Sequence, residues 1–273
     1  MIRKFALTAA AVVASVLTAA VPALATTGPP GTFYHLAPAT GLTGRSVASL
    51  PLAPNVYSSY KSGYVAHGNS RVFQRVTASF PAALTTTRNG SANWREYVQL
   101  STGGHQFDAG IIAVGPDTYV AEYRIDGAAT TMTLTPQIQP GNHLTVTVWF
   151  DVHGDHALDF TVTDHTTGAS VTVPDVVKPP SGSIAYAGVF THPNYPAGCG
   201  GINPIATDCL NSRLGAYSSI AFTANSGAVG NLAHRFLVAK VVQTDTGDAD
   251  GDLYSSPNGP WNGGANFGDY MRP

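Results

Sequence analysis

Four aspartates crowd one short segment near the C-terminus and could bind a cation. They are Asp245, Asp248, Asp250 and Asp252. Alternating carboxylates next to a glycine can surround a hard cation such as Ca²⁺ with oxygen ligands. In an EF-hand reading Pro257 takes the twelfth position, where a bidentate Glu is required, so that form is excluded. A weak Ca²⁺ site and a solvated acidic turn both remain open, and no other cofactor is expected.

A second polar segment carries ligand types that zinc or nickel accepts. Asp151 and His156 flank it, and Asp159 follows. The apolar residues on either side pair only if Phe150 faces Leu158, which makes the loop odd in length. That register puts Asp151 and His156 on opposite faces, so the segment reads as a polar hairpin tip rather than a metal site.

Aromatic side chains could instead hold a sugar ring. We expect Trp94, Trp149, Tyr186 and Tyr195 to be exposed. Such rings stack on sugars, but they also pack at the edges of ordinary cores. We therefore keep them as candidate binding residues only.

The two cysteines, Cys199 and Cys209, are separated by a short loop, and the N-terminus explains how they would be oxidised. A basic start, an apolar run and Ala23-Leu24-Ala25 predict a signal peptide over 1–25, and hence a secreted, extracellular protein. Export exposes thiols to an oxidising compartment, so we predict a disulfide between the two.

Composition excludes one class of partner. Charged residues make up 11% of the chain, the net charge is −2, and no basic stripe is present. A nucleic-acid partner therefore has no electrostatic basis. No apolar segment after the signal peptide is long enough to span a membrane, and we expect a monomer.

The elements that must position these side chains are strands. From Tyr64 onward, short runs alternate apolar with polar residues and are separated by turns such as Asp126-Gly127. About a dozen such runs predict an all-β fold, a two-sheet antiparallel β-sandwich of concanavalin A-like or jelly-roll type. We place an extended lead-in at 26–54, the sandwich at 55–244, and an acidic turn with an irregular tail at 245–273.

Several of these segments, in order, resemble the eqolisin family of secreted glutamic peptidases. The similar segments are Tyr60–Ala66, Val76–Pro81, Tyr97–Leu100, Tyr119–Tyr123, Ile138–Val148, Phe160–Gly168 and Tyr217–Thr223. The resemblance implies a two-sheet sandwich in which a Gln and a Glu face each other on one sheet. In that family the Glu activates water and the Gln amide stabilises the oxyanion.

The catalytic pair that the resemblance implies is missing from the expected positions. On the strand Gln106–Ala113 the Gln position falls on Ala109 or Ala113, and Gln106 fits only with a gap. The strand Ser183–Val189 contains no acid. We therefore expect a non-catalytic sandwich that binds an extracellular polymer, glycan or protein. The alternatives are an acid-acting endopeptidase with a displaced pair, which would use Gln106, and a structural protein of the cell envelope.

Overall fold

A computed structural model describes most of the chain after residue 52. The described residues are 53–68, 72–82, 95–102, 104–115, 118–151, 154–179, 184–192, 213–233, 235–244, 247–250 and 253–271. The predicted signal peptide and nearly all of the predicted lead-in lie outside them, as do both cysteines. The described residues contain no helix long and apolar enough to cross a membrane.

The described part of the chain is built from strands and contains no α-helix; its one described helical turn is a 3₁₀ turn, Asn262–Gly264. The strands are β1 Ala53–Ser58, β2 Ser62–His67, β3 Phe73–Pro81, β4 Arg95–Ser101, β5 Gln106–Gly115, β6 Thr118–Ile125, β7 Ala128–Met132, β8 His143–Phe150, β9 Leu158–Asp164, β10 Ser170–Val173, β11 Tyr186–His192, β12 Arg213–Ala224, β13 Val229–Gly230, β14 Leu237–Thr244, β15 Leu253–Trp261 and β16 Asn266–Met271.

The strands form two layers. The first sheet has the order β14-β2-β11-β4-β5-β6-β7, with β1 added to β14 in parallel. The second sheet has the order β10-β9-β8-β3-β12, and β13 pairs with β12. Strands β16 and β15 connect β12 to β14, so the hydrogen-bonded path runs from one layer into the other. All of these pairings except that of β1 are antiparallel, which confirms the predicted two-sheet antiparallel sandwich.

One hydrophobic core lies between the layers. It takes Val98 and Ile111 from the first sheet and Val146, Phe160 and Phe222 from the second. All five side chains are at most 1% exposed. On β4, β5, β8 and β9 every second residue enters this core, because successive side chains on a strand point to opposite faces. The residues in between therefore form an outer face on each sheet, and these two faces are available for function.

Residues 253–271 form two strands and a 3₁₀ turn, so this part of the tail that was predicted to be irregular over 245–273 has regular structure. Strands β15 and β16 pair with each other, and β16 also pairs with β12. The prolines of β15 suggested irregular structure because proline cannot donate a backbone hydrogen bond. Strand β14 pairs with β15 at Leu253 and Ser255, so Pro257 and Pro260 lie beyond that pairing. Proline costs little where a strand has one partner.

Candidate functional site on the outer face of the first sheet

The outer face of the first sheet collects most of the buried charge in the described residues. On β4 the core takes Val98 and Leu100, so Arg95, Tyr97 and Gln99 point outward. The same alternation turns Gln106 and Asp108 of β5 outward, with Glu122 and Arg124 of β6. Strand β11 adds Phe190 and His192, and Lys61 precedes β2. We call Lys61, Arg95, Gln99, Asp108, Glu122, Arg124 and His192 the polar cluster.

Arg95 is the centre of the polar cluster. Its Nη2 donates to Oδ1 of Asp108 over 2.5 Å, and its Nε donates to Oε1 of Glu122. Arg124 donates to the same Oε1 from its own Nε over 2.8 Å. The side chains of Arg95, Asp108 and Glu122 are only 6–7% exposed. One planar guanidinium thus bridges carboxylates from two neighbouring strands, a geometry that suits Arg and not Lys.

These ion pairs keep Arg95 charged. Burial by itself would lower the pKa of the guanidinium, but the charges of Asp108 and Glu122 outweigh burial and raise this pKa above its usual value. The guanidinium also lies 4.4 Å from the ring centroid of Tyr97. Both carboxylates therefore face a permanent positive charge.

A chain of polar contacts runs from Lys61 to the edge of the cluster. Lys61 donates from Nζ to Oε1 of Gln99 over 2.9 Å, and the Nε2 of Gln99 donates to Oε1 of Gln106 over 3.2 Å. The Nζ also lies 4.0 Å above the Phe190 ring. Burial lowers the pKa of Lys61 to about 7, an effect that Asp108 opposes and Arg95 reinforces.

His192 stands next to Arg95 in the register of β11 and β4. Burial, reinforced by the positive charges of Arg95, Arg124 and Lys61, lowers the pKa of its imidazole to about 3. The ring is therefore neutral at neutral pH. Next to it lies a small apolar cluster of Val65, Tyr97, Phe190, Ala239 and Val241.

Beside the buried cluster runs a row that solvent reaches. His67, Tyr186, Ser101 and Gln106 are register partners across β2, β11, β4 and β5, and each is partly exposed. The rings of His67 and Tyr186 lie 5.1 Å apart. We call these four residues the rim row. Its amide, hydroxyl and aromatic groups can contact a chain lying across the strands.

The chemistry of the face depends on how amides and carboxylates are placed. Gln99 and Asp108 are direct register partners on β4 and β5, so an amide and a carboxylate stand side by side. Asp108 is nevertheless bound to Arg95. Strand β11, where the resemblance places a Glu, turns Tyr186, Gly188, Phe190 and His192 to this face and carries no acid. Both carboxylates of the cluster accept hydrogen bonds from a guanidinium, Asp108 from Arg95 and Glu122 from Arg95 and Arg124.

The structure separates the candidate residues proposed from the sequence. Gln106 lies in the rim row, in contact with Gln99. Tyr186 shares that row, whereas Trp149 lies on the outer face of the second sheet beside Arg75. These two aromatics therefore do not line one groove. Trp94, Tyr195, Asp245, Asp252, Cys199 and Cys209 lie outside the described residues.

Two metal sites were considered from the sequence, one at the aspartates near the C-terminus and one at the Asp151–His156 hairpin tip. In the described part of the chain, no group of three or more His, Cys, Asp or Glu side chains comes together that could hold a metal ion. Asp248 and Asp250 are exposed, and the Asp250 amide donates to Asp248 Oδ1 over 3.2 Å. At the other segment, His156 Nδ1 lies 3.6 Å from Asp151 Oδ1. The expectation that these two side chains point apart is wrong, because positive φ angles at both residues curl the hairpin tip.

Sequence reasoning missed the polar cluster apart from the adjoining Gln106. The missed residues include Lys61, Arg95, Gln99, Asp108, Glu122 and His192. A signal was present in the alternating pattern Arg95-x-Tyr97-x-Gln99, Gln106-x-Asp108 and Glu122-x-Arg124, which puts polar side chains on the same face of three strands.

Comparisons with known proteins agree with this architecture. No family model matches the sequence, and no curated protein sequence matches it. Two solved structures of scytalido-glutamic peptidase with transition-state analogues are similar, at TM-scores of 0.52 and 0.53. SCP-B, a member of the eqolisin family of peptidases in complex with the tripeptide Ala-Ile-His, gives 0.50. Each match has 15% identity and covers 79% of this chain and 99% of the other.

The fold is therefore that of the eqolisin-like β-sandwiches, as the sequence resemblance implied. At 15% identity this structural similarity shows the fold alone. What this chain does on that fold depends on its own outer face.

Proposed function

We propose that the protein binds an extended polypeptide on the outer face of the first sheet and does not cleave it. One observation carries the proposal: Arg95 binds both buried carboxylates of this face, Asp108 and Glu122. A general base must reach a water molecule and accept its proton. A carboxylate bound by a buried, permanently charged guanidinium is poorly suited to that step.

Binding is supported by the rim row and by the structural neighbours. Extended peptides are recognised through hydrogen bonds to their main chain and through contacts with alternate side chains. In the rim row, Gln106 offers an amide donor and acceptor, and Tyr186 offers an aromatic surface beside His67. A peptide-based transition-state analogue and a tripeptide are bound in two of the similar structures.

Binding can be measured by fluorescence anisotropy with a labelled, reduced and carboxymethylated polypeptide. We expect Tyr186→Ala and Gln106→Ala each to weaken binding by about tenfold, the equivalent of roughly 1.4 kcal/mol. Thr130→Ala, an exposed position on the edge strand β7, is the matched control and should bind like wild type. Equal affinity in all four proteins, or no binding by any, would rule out this site.

A second candidate function is an acid-acting endopeptidase, and the register pairing of Gln99 with Asp108 favours it. An amide and a carboxylate side by side supply the two group types that such a reaction needs. The assay is hydrolysis of the same polypeptide at about pH 2–5, where a carboxylate acts as base. We expect no turnover. Turnover that is lost in Asp108→Asn and in Gln99→Ala would establish the peptidase. If turnover is also lost in Gln106→Ala, Gln106 of the rim row takes part in the reaction as well.

A further inference from the structure

The outer face of the second sheet carries two aligned rows of hydroxyl groups. The first row is Thr172, Thr161, Thr147 and Thr77, and the second is Ser170, Thr163, Thr145, Ser79 and Ser218. Within each row the residues are register partners on neighbouring strands. Their side chains point outward because the core takes the alternate residues, such as Val146 and Val162. We call these nine residues the hydroxyl rows.

The hydroxyls are held in place by one another. Thr77 and Thr147 are bonded over 2.9 Å, and Ser79 and Thr145 over 2.7 Å. On the other side of the face, Thr161 and Thr172 are bonded over 3.0 Å, and Thr163 and Ser170 over 2.9 Å. The Thr77–Thr147 and Thr161–Thr172 pairs each use one proton internally, so a second proton and spare acceptor lone pairs remain for a ligand. In the second row Thr145 is also bonded to His165 Nε2, and Ser170 also donates to the Val162 carbonyl, so this row offers mainly acceptor lone pairs.

The spacing of the rows follows from the sheet. Neighbouring strands lie about 4.8 Å apart, and residues two apart on a strand are separated by roughly 6.7 Å. The hydroxyls therefore form a fixed two-dimensional array. A surface that is already ordered loses little conformational entropy when a ligand binds, so weak individual contacts can add up.

The chemistry of this face selects for a neutral ligand. The nine positions contain no charged side chain, although outer sheet faces usually carry charges that limit association. An anionic or cationic polymer would find no counter-charge within the rows. Titratable groups lie at the ends of the rows: Arg75, 4.8 Å over the Trp149 ring, and Asp159, the β9 register partner of Trp149, at one end, and His165 beside Thr145 at the other.

Trp149 is the second observation that points to a ligand. It continues the line of Thr145 and Thr147 along β8, and its side chain is only partly buried. An aromatic ring beside hydroxyl donors and acceptors is the combination that recognises sugars, because the apolar face of a sugar packs on the ring while its hydroxyls form hydrogen bonds. A sheet face lacks the cleft that small ligands require, so the fitting ligand is an extended chain.

We propose that the outer face of the second sheet binds an extended, neutral polysaccharide, which packs on Trp149 and forms hydrogen bonds with the hydroxyl rows. This site lies on the opposite side of the sandwich from the polypeptide site and does not depend on it. With both sites occupied, the protein would connect a polypeptide to a polysaccharide surface.

The test is retention of the full chain on microcrystalline cellulose and on chitin, with soluble dextran as a branched competitor. We expect saturable retention that dextran does not displace. Trp149→Ala and Thr147→Lys should each weaken it by about tenfold, the latter because a lysine inserts an unmatched charge into the array. Thr147→Val removes only the hydroxyl and should have a smaller effect in the same direction.

Thr130→Lys on β7 is the control for added charge, and thermal melting checks that each variant is folded. Retention by neither polysaccharide overturns the proposal. So does retention that is equal in wild type, Trp149→Ala and Thr147→Lys. If one variant fails to fold, the other two still decide the outcome, because they alter the same face by different means. Polypeptide binding should be unchanged in all folded variants, which separates this proposal from the first.

Discussion

Lys61 donates a hydrogen bond from Nζ to Oε1 of Gln99 over 2.9 Å in a site where its side chain is almost fully buried. Burial favours the neutral amine, and the nearby Arg95 adds to that preference. The contact therefore joins a group that titrates near neutral pH to the amide next to Asp108. The charge on this face should therefore change as the pH rises from neutral to alkaline, because Lys61 loses its proton.

The first prediction is that Lys61 makes stability rise with pH above neutrality. The pKa of Lys61 is about 7 in the folded protein and near 10.5 in the unfolded chain. Between those values the unfolded chain binds one more proton, so the free energy of unfolding increases with pH. Relative to wild type, Lys61→Met should lose about 1.4 kcal/mol of stability per pH unit across this window.

Urea unfolding at several pH values from 6 to 10 measures this difference. Below pH 7 both states of wild type are protonated, so the full penalty of burying the charge is present and the variant gains most. The exposed Lys178→Met is the control and should stay parallel to wild type. A constant difference between Lys61→Met and wild type at every pH would contradict the prediction.

The second prediction concerns acid. Burial and three nearby cations lower the pKa of His192 to about 3, against 6.5 for the free side chain. The unfolded chain binds the extra proton between these values, so stability falls as pH drops through about 6.5 to 3. His192→Asn should flatten the acid limb of the stability curve. His156→Asn, whose side chain is 76% exposed, should leave the limb as in wild type; identical limbs for both variants would refute the assignment to His192.

The third prediction is a disulfide between Cys199 and Cys209. Alkylation of the native protein without reductant should leave the intact mass unchanged. Reduction should lower the melting temperature, since closing so short a loop stabilises by roughly 2–3 kcal/mol, but should leave the strand signal in circular dichroism. The described core strands do not include this segment. Two labelled thiols in native protein would show that the bond is absent.

The sandwich could be predicted from the sequence because a half-buried strand has a period of two. The register of β8 with β9 was predictable for the same reason. Phe150 faces Leu158, Val148 faces Phe160 and Val146 faces Val162, as the alternating apolar residues require. A shift of one residue would have turned all of these side chains to solvent.

The polar cluster was not predictable in the same way, because its contacts depend on the order of strands within the sheet. Arg95 contacts residues 13 and 27 positions away on β5 and β6, and His192 reaches its register position beside Arg95 from much later in the chain. Strand β11 enters the sheet between β2 and β4. Alternation alone gives the face on which a side chain lies, but not its neighbours across the sheet.

The last prediction tests the ion pairs of Arg95 against a matched arginine. Arg95 and Arg75 both lie over an aromatic ring, at 4.4 Å from Tyr97 and 4.8 Å from Trp149. Only Arg95 also binds two buried carboxylates. Replacing it with Met leaves Asp108 buried without its counter-charge, and such a loss costs about 3–5 kcal/mol. Arg75→Met removes a cation–π contact and should cost about 1 kcal/mol or less.

Chemical denaturation of both variants measures the difference, and a further substitution identifies its cause. In Arg95→Met/Asp108→Asn the stranded carboxylate becomes a neutral amide of nearly the same shape, so most of the lost stability should return. Glu122 needs no such change because Arg124 still contacts it over 2.8 Å. If Arg95→Met costs no more than Arg75→Met, the carboxylates of the cluster do not depend on Arg95. Both would then be available to act on a bound peptide, and the proposal of binding without cleavage would lose its support.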